Sequence, residues 1–407
     1  MKKENKAIKL TGILLCLVLL LSCLAGCGAK DLFKEMEREP EPTATPEPTP
    51  TPTPAPTPTP TPTPKSVFEE EGPALYINAV ETETFLYNGL LYVPFSAYMT
   101  ACGFEYASDD KGADFTFRGA DYRIEYADSL LTKEGEKVSL EAAAILDLGR
   151  LYVPVGAFSR AIGVSEYTDT ETGLIYYTPG AGAFEITCDR RVPVLMYHGV
   201  TDDLWGIAEL FVSPSSMEEQ LAYLAENGYT TIFFEDLWNL ENIEKPVILS
   251  FDDSYSDNYY NLFPLLKKYN QKATIFCISG WMGDPDGLYL NYEQAKEMSD
   301  SGLVSIQSHG FSHRRLGELG ENDVVYEMDT SKRMLTRITG REPYVLCYPE
   351  GSYGRASMAV APEYYSFAIK MNGGIWSSSG DPFLVDRVYI PRSTSIQTFA
   401  SYIDVNG

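Results

Sequence analysis

Two rhythms of apolar and polar residues divide the chain. From Arg191 onward, short apolar runs alternate with stretches whose apolar residues recur every three to four positions. The runs Val192 to Tyr197, Thr230 to Phe234, Val247 to Phe251, Ala273 to Ile278, Val304 to Gln307, Tyr344 to Tyr348 and Phe367 to Lys370 predict strands. Between them, Ser213-Pro214 supplies a cap and first turn for a helix ending at Gly228. Further helical patterns follow Phe251 as far as Lys268 and cover Tyr292 to Ser299 and Asp323 to Ile338. Repeated strand-then-helix units imply parallel strands joined by helical crossovers. The predicted fold class is α/β: a distorted (β/α) barrel over 191–407, preceded by a smaller α+β module over 74–180.

The module is an internal duplication. Asn88-Gly89-Leu90-Leu91-Tyr92-Val93-Pro94 returns as Leu148-Gly149-Arg150-Leu151-Tyr152-Val153-Pro154. Each copy runs into a short amphipathic helix, Phe95 to Cys102 or Val155 to Ile162, closed by Gly103 or Gly163. The Leu-Tyr-Val-Pro copies resemble the small module at the N-terminus of copper amine oxidases and in many bacterial surface proteins. The module has no His and no ligand cluster, which suits a spacer or a contact with the cell wall. Upstream, Pro40 to Pro64 alternates Pro mainly with Thr, a stretch that takes the extended polyproline II form and acts as a stalk. The N-terminus carries Lys2, Lys3, Lys6 and Lys9, a short apolar run, and then Leu24-Ala25-Gly26-Cys27. This resembles a bacterial lipobox, so 1–26 is expected to be a lipoprotein signal peptide. Residues 27–73 are then the lipid-anchor region and linker, with Cys27 acylated. The expected location is extracytoplasmic, anchored to the membrane by lipid only and facing the cell wall.

Charge narrows the partners. With 57 acidic against 32 basic residues and a net charge of -25, nucleic acid is excluded, because phosphate backbones are bound by clustered Lys and Arg. Of seven cysteines, Cys102, Cys188, Cys277 and Cys347 lie past the lipobox; they form no CxxC pair, and Cys277 and Cys347 sit in apolar runs as buried thiols.

The only three histidines, His198, His309 and His313, all lie just after predicted strands, as does the pair Asp252-Asp253. The C-terminal ends of barrel strands form the active-site face, so four strand ends deliver these residues and the turn Tyr348-Pro349-Glu350-Gly351 to one rim. The i, i+4 spacing of His309 and His313 suits two imidazoles on one side of a helical turn. With one carboxylate, such a pair makes a common ligand set for a divalent ion. Asp252-Asp253 reads alternatively as the N-cap of a helix opening at Ser254 to Asn258.

In combination, Met196-Tyr197-His198, Ser250-Phe251-Asp252-Asp253, Ser308-His309-x-x-x-His313 and Tyr348-Pro349-x-Gly351 resemble the polysaccharide deacetylases (NodB-homology domain, carbohydrate esterase family 4). The Met-Tyr-His opening resembles the branch acting on poly-N-acetylglucosamine and related polymers. The resemblance implies that Asp253, His309 and His313 bind Zn²⁺, with Co²⁺, Ni²⁺ or Mn²⁺ as alternatives, and that Asp252 is the general base. A backbone N–H in the Tyr348, Pro349, Gly351 turn would hold the oxyanion. Four departures stand out: Ser254 replaces the usual Gly, Gly310 replaces the usual Ser or Thr after the first metal His, Leu346-Cys347 replaces an Arg ahead of the turn, and no His follows His313 to act as general acid. His198 is the candidate acid. Arg387, in the pair Asp386-Arg387, is either a tether for Asp252 or part of a surface pair. Trp205, Trp281, Trp376, Tyr353 and Tyr255 are candidate platforms for sugar stacking. The expected activity is metal-dependent N-deacetylation of an N-acetylglucosamine-containing surface polysaccharide: peptidoglycan, poly-N-acetylglucosamine or chitin-like. The competing readings are an O-acetyl (xylan-type) esterase and a non-catalytic glycan-binding lipoprotein.

Overall fold

In the computed structural model, residues 65–68 and 70–405 are described; the expected signal peptide, the expected acylation at Cys27 and the Pro/Thr-rich stretch Pro40 to Pro64 lie outside the described residues. The two Leu-Tyr-Val-Pro copies pair with each other. Strands Leu90–Pro94 and Arg150–Pro154 run antiparallel with Val93 opposite Val153, Tyr92 opposite Pro154 and Pro94 opposite Tyr152. The duplication therefore closes on itself about a local two-fold axis at one residue pair. Each copy leads directly into its helix, Phe95–Cys102 and Val155–Ile162, and each helix ends at a left-handed glycine, Gly103 (φ 72°) and Gly163 (φ 81°). That conformation caps the last carbonyls at little cost for glycine. Val93, Phe95, Tyr98, Val153, Val155 and Phe158 from the two copies share one core.

The remainder is a curled, all-parallel sheet. Its strands lie in the order Phe367–Ile369, Val345–Cys347, Val304–Ser308, Ala273–Cys277, Pro246–Phe251, Val194–Tyr197 and Val388–Tyr389, and Thr230–Thr231 adds to the start of Pro246–Phe251. The expected strand at Thr230 to Phe234 is cut to two residues. Past Ile232 the chain turns into a 3-10 segment, Phe234–Asn242, started by the Asp236 carboxylate accepting from the Phe233 N–H at 2.8 Å. One segment spans both sheet edges. Val385 bridges to Ile369 in parallel, and three residues later the chain pairs with Val194–Tyr197. Arg387 lies inside this closing segment, with its side chain buried.

The module and the barrel belong to one compact unit. They meet at the C-terminal end of the helix Glu321–Thr339. Asp169, 0% exposed, accepts from both Nε and Nη2 of Arg337; Glu171 pairs with Arg333 and Arg337; and Arg341 Nε donates to Asn78 Oδ1 at 2.9 Å. Asp169→Ala should therefore destabilise the barrel as well as the module. It removes charge-assisted hydrogen bonds worth about 1.5–3 kcal/mol at this half-exposed junction. Urea unfolding followed by barrel tryptophans should show a lower midpoint at an unchanged slope; an unmoved midpoint would mean the junction contributes nothing. Among the described residues, no helix is long and apolar enough to cross a membrane.

Candidate active site

The acidic pair directly follows Pro246–Phe251. The backbone leaves the strand through left-handed values at Asp253 (φ 71°) and Ser254 (φ 59°), which turns the two carboxylates apart. The conformation explains why a Gly would be at home at 254. Helical structure resumes only at Asn258–Leu262, so the pair caps no helix at Ser254, and that alternative falls.

Asp252 points into the barrel. Arg387 meets it with two parallel hydrogen bonds, Nη1 to Oδ1 at 2.7 Å and Nη2 to Oδ2 at 2.8 Å. The guanidinium is itself fixed by Lys370 O at 2.8 Å, Ser250 Oγ at 3.2 Å and Cys347 Sγ at 3.3 Å. The tether reading of Arg387 is therefore the one the geometry takes; its neighbour Asp386 pairs with Lys370 instead. The arginine missing at Cys347 is supplied from the closing segment, and its fork lies against the Cys347 sulfur. Burial alone would raise the Asp252 pKa, but the Arg387 guanidinium outweighs it and holds the carboxyl well below the usual carboxylate range. His198 Nε2 lies 4.0 Å from Asp252 Oδ2, and its Nδ1 is buried with no hydrogen-bond partner among the described residues. Burial pushes this imidazole below its ordinary pKa, against the pull of Asp252.

Asp253 turns the other way. Its Oδ1 stands 3.5 Å from His309 Nε2 and 3.4 Å from His313 Nε2. Two ligands each about 2.1 Å from one tetrahedral ion are separated by about 3.4 Å, so the trio has the spacing of a shared cation's donors. His309 Nδ1 lies 2.8 Å from Cys347 O. A carbonyl only accepts, so Nδ1 carries a proton and Nε2 is the nitrogen left to face Asp253. Burial would lower the His309 pKa, but Cys347 and Asp253 raise it well above the ordinary value, so a cation would have to displace the Nε2 proton. The residues present therefore fit a divalent ion. Burial would raise the Asp253 pKa, and His309 more than offsets it; burial lowers that of His313.

The two histidines are not on a helical turn. His309 to His313 is a loop with positive φ at Gly310 (74°) and His313 (61°). Glu327, buried on the helix Glu321–Thr339, accepts hydrogen bonds from its backbone. Sequence reading missed Glu327, whose position within a helical repeat looks like any other polar residue.

The turn Pro349–Gly351 packs beside this loop, Pro349 Cγ lying 3.8 Å from where a Gly310 Cβ would stand. Its amides are mostly engaged: Tyr348 N–H donates to Ile369 O at 3.1 Å and Gly351 N–H to Tyr348 O at 2.8 Å. Pro349 has no N–H, so an oxyanion donor from this turn falls to Glu350 rather than to Tyr348, Pro349 or Gly351. Of the aromatic candidates, Trp376 is core, 2% exposed, and is withdrawn as a platform. Trp205 (40% exposed) and Trp281 (38%) are joined through Tyr255 and Tyr289 into one continuous ring chain that ends on His313, with centroids 4.9 to 5.6 Å apart. Tyr353 stands on the other side, against Tyr348. Burial and then the neighbouring Asp253 push the Tyr255 phenol well above its ordinary pKa.

Residues 239–365 match the family model described as polysaccharide deacetylase, and residues 75–177 match that of the copper amine oxidase N-terminal domain. The Bacillus subtilis protein YxkH, described as a polysaccharide deacetylase, is 30% identical over 220 residues, 53% of this chain and 76% of its own. A Staphylococcus aureus poly-beta-1,6-N-acetyl-D-glucosamine N-deacetylase is 25% identical over 199 residues, 44% of this chain and 66% of its own. Among solved structures, the Streptococcus pyogenes deacetylase PplD in complex with acetate superposes with a TM-score of 0.50 at 28% identity, covering 53% of this chain and 100% of that one. A Bacillus anthracis polysaccharide deacetylase gives 0.51 at 26% identity over 74% of this chain and 99% of its own.

Proposed function

The chain belongs to the polysaccharide deacetylase family, and from that membership we propose that it is a metal-dependent hydrolase removing N-acetyl groups from an N-acetylglucosamine-containing surface polysaccharide. The carrying observation is Asp253 Oδ1 at 3.5 and 3.4 Å from two imidazole nitrogens, beside a separate buried carboxylate, Asp252. The name of the Staphylococcus aureus relative supports an N-acetylglucosamine polymer over an acetylated xylan.

Asp253, His309 and His313 would hold the ion, Zn²⁺ in the first instance. When bound, such an ion supplies a Lewis acid and a water acidified to near neutrality. The chain's own residues do the rest. Asp252, ionised and aimed by Arg387, takes the proton from the attacking water. His198 enters uncharged, because burial disfavours its cation. It must therefore gain a proton before it can protonate the departing amine, and the 4.0 Å gap to Asp252 Oδ2 is too long for direct transfer, so that proton would come by way of solvent. The Glu350 N–H is the turn's donor to the developing oxyanion. The lipobox reading adds attachment through Cys27 on the outer face of the membrane, with the duplicated module toward the cell wall.

The test is acetate release from N-acetylglucosamine oligomers and peptidoglycan by the purified protein, with acetylated xylan in parallel. Chelation should abolish release and Zn²⁺ restore it. Release unaffected by exhaustive chelation would overturn the metal reading, release from xylan alone would move the substrate to O-acetyl esters, and a metal-loaded but inert protein would favour the binding reading. Trp281→Ala should raise KM for oligomers about tenfold, the loss of about 1.4 kcal/mol of stacking, with kcat nearly unchanged. An unchanged KM would remove the ring chain from the substrate path.

A further inference from the structure

The loop from His309 to His313 belongs to no helix or strand, yet it must hold two imidazoles at a fixed separation. His309 has an anchor on its ring in Cys347 O. His313 has Trp281 packed on its ring but, among the described residues, no hydrogen bond on Nδ1 to match, so its placement leans more on the backbone that carries it. One side chain grips that backbone. Glu327 is fully buried; its Oε2 accepts from the Phe311 N–H at 2.9 Å and the Ser312 N–H at 2.8 Å, and its Oε1 accepts from the Ser312 hydroxyl at 2.5 Å. A Cβ on Gly310 would stand 3.3 Å from Oε2, so the carboxylate lies flat against the loop.

The arrangement is costly unless it serves something. An ionised carboxylate loses several kcal/mol of hydration on burial, and among the described residues no lysine or arginine pairs with this one. Three donors from two consecutive loop residues compensate it. Phe311 and Ser312 lie between the two imidazoles in sequence, so fixing their amides fixes how far apart His309 and His313 can stand. Glu327 touches no donor atom of the trio. It sits on the helix Glu321–Thr339, whose packing against the barrel gives it a rigid base.

We propose that Glu327 is a positioning residue for the divalent-ion site: its carboxylate templates the His309–His313 loop so that both imidazoles meet Asp253. This rests on the reading that Asp253, His309 and His313 hold a metal. The test compares Glu327→Ala, which removes every acceptor, with Glu327→Gln, whose side-chain carbonyl can still take both backbone N–H groups. Two readouts are used: amide exchange at Phe311 and Ser312 in metal-free protein, and the Zn²⁺ dissociation constant from chelator competition, supported by the Co²⁺ visible spectrum. In Glu327→Ala both amides should exchange at least about tenfold faster, Zn²⁺ affinity should fall about 10–100-fold, and the Co²⁺ bands should change. Glu327→Gln should stay within about threefold of the parent protein in both readouts. If the Ala variant does not fold, Glu327→Met fills the volume without an acceptor and carries the same expectation. Unchanged Zn²⁺ affinity and Co²⁺ spectrum in the variant lacking acceptors would overturn the proposal, and so would an equal loss in Glu327→Gln, since charge rather than acceptor geometry would then be at work. If the parent protein binds neither ion, the metal reading itself has failed, and amide exchange alone decides whether Glu327 holds the loop.

Discussion

Asp253→Ala should leave a folded protein that no longer retains Zn²⁺ and whose kcat/KM for acetate release is down by at least about a thousandfold. The ion's share of transition-state stabilisation is several kcal/mol, at about 1.4 kcal/mol per factor of ten. The informative comparison is with the adjacent residue. Asp252→Asn keeps the size of the side chain, gives up one of the two Arg387 bonds because an amide nitrogen cannot accept, and leaves the donor atoms of Asp253, His309 and His313 in place. It should retain the ion while losing about 10²–10⁴ in rate, the range for an absent general base. Metal analysis of the two purified variants beside their rates checks the division of labour. Equal metal content in both variants would show that Asp253 is not a ligand. Full activity in Asp252→Asn would show that the proton goes elsewhere.

That division is partly legible in the amino-acid sequence. Strand-end placement puts His198, Asp252-Asp253, His309 and the Tyr348 to Gly351 turn on one rim, because a parallel barrel delivers the residues after each strand to the same face. The duplicated module is legible for a related reason: a repeat whose copies face each other needs the same residues twice, and Val93 opposite Val153 is the result. The local geometry between these landmarks is not legible. A spacing of four residues between histidines fits a helical turn as well as a loop, and only the positive φ at Gly310 and His313 distinguishes them. Asp252-Asp253-Ser254 resembles a helix start because an acidic residue before a polar run usually is one. Here two left-handed residues first turn the chain and aim the two carboxylates apart. Glu327 and Arg387 show the larger difficulty. Each acts across the fold from its own place in sequence, Glu327 from mid-helix and Arg387 from the segment joining the sheet edges. Glu327 carries no local pattern to mark it, and for Arg387 the Asp386-Arg387 pair leaves a tether and a surface pair equally open.

Arg387→Met should be the most damaging change to the protein's stability and should also move its pH profile. The substitution keeps an unbranched chain of similar length but leaves Asp252 buried without its cation. Removing one partner of a buried, doubly hydrogen-bonded pair costs about 3–5 kcal/mol. The loss should depend on pH in a fixed direction. In the parent protein the Asp252 carboxyl is held below its ordinary value, burial being outweighed by Arg387. Its stabilising contribution is therefore present above the unfolded pKa of about 4 and disappears as pH falls through the folded value. In Arg387→Met only burial and the weaker histidine contributions remain, so the folded pKa rises above the unfolded one and the sign reverses. The variant should gain relative to the parent as pH falls, and the stability gap measured by urea unfolding should be widest at pH 7 and narrower near pH 4. The same shift should carry the acidic limb of kcat/KM upward, because the base must be ionised to accept a proton. The histidines are common to both proteins, and of them His198 feels Arg387 only as a minor repulsion beside its burial, so the difference between the two profiles reports chiefly on Asp252. Arg387→Lys sharpens the comparison. It retains the charge but cannot form the paired fork, so it should recover more of the pH profile than of the rate. A stability gap independent of pH, together with an unmoved acidic limb, would mean that Arg387 packs the barrel without setting the charge of the base. Activity would then have to be traced to a group other than Asp252.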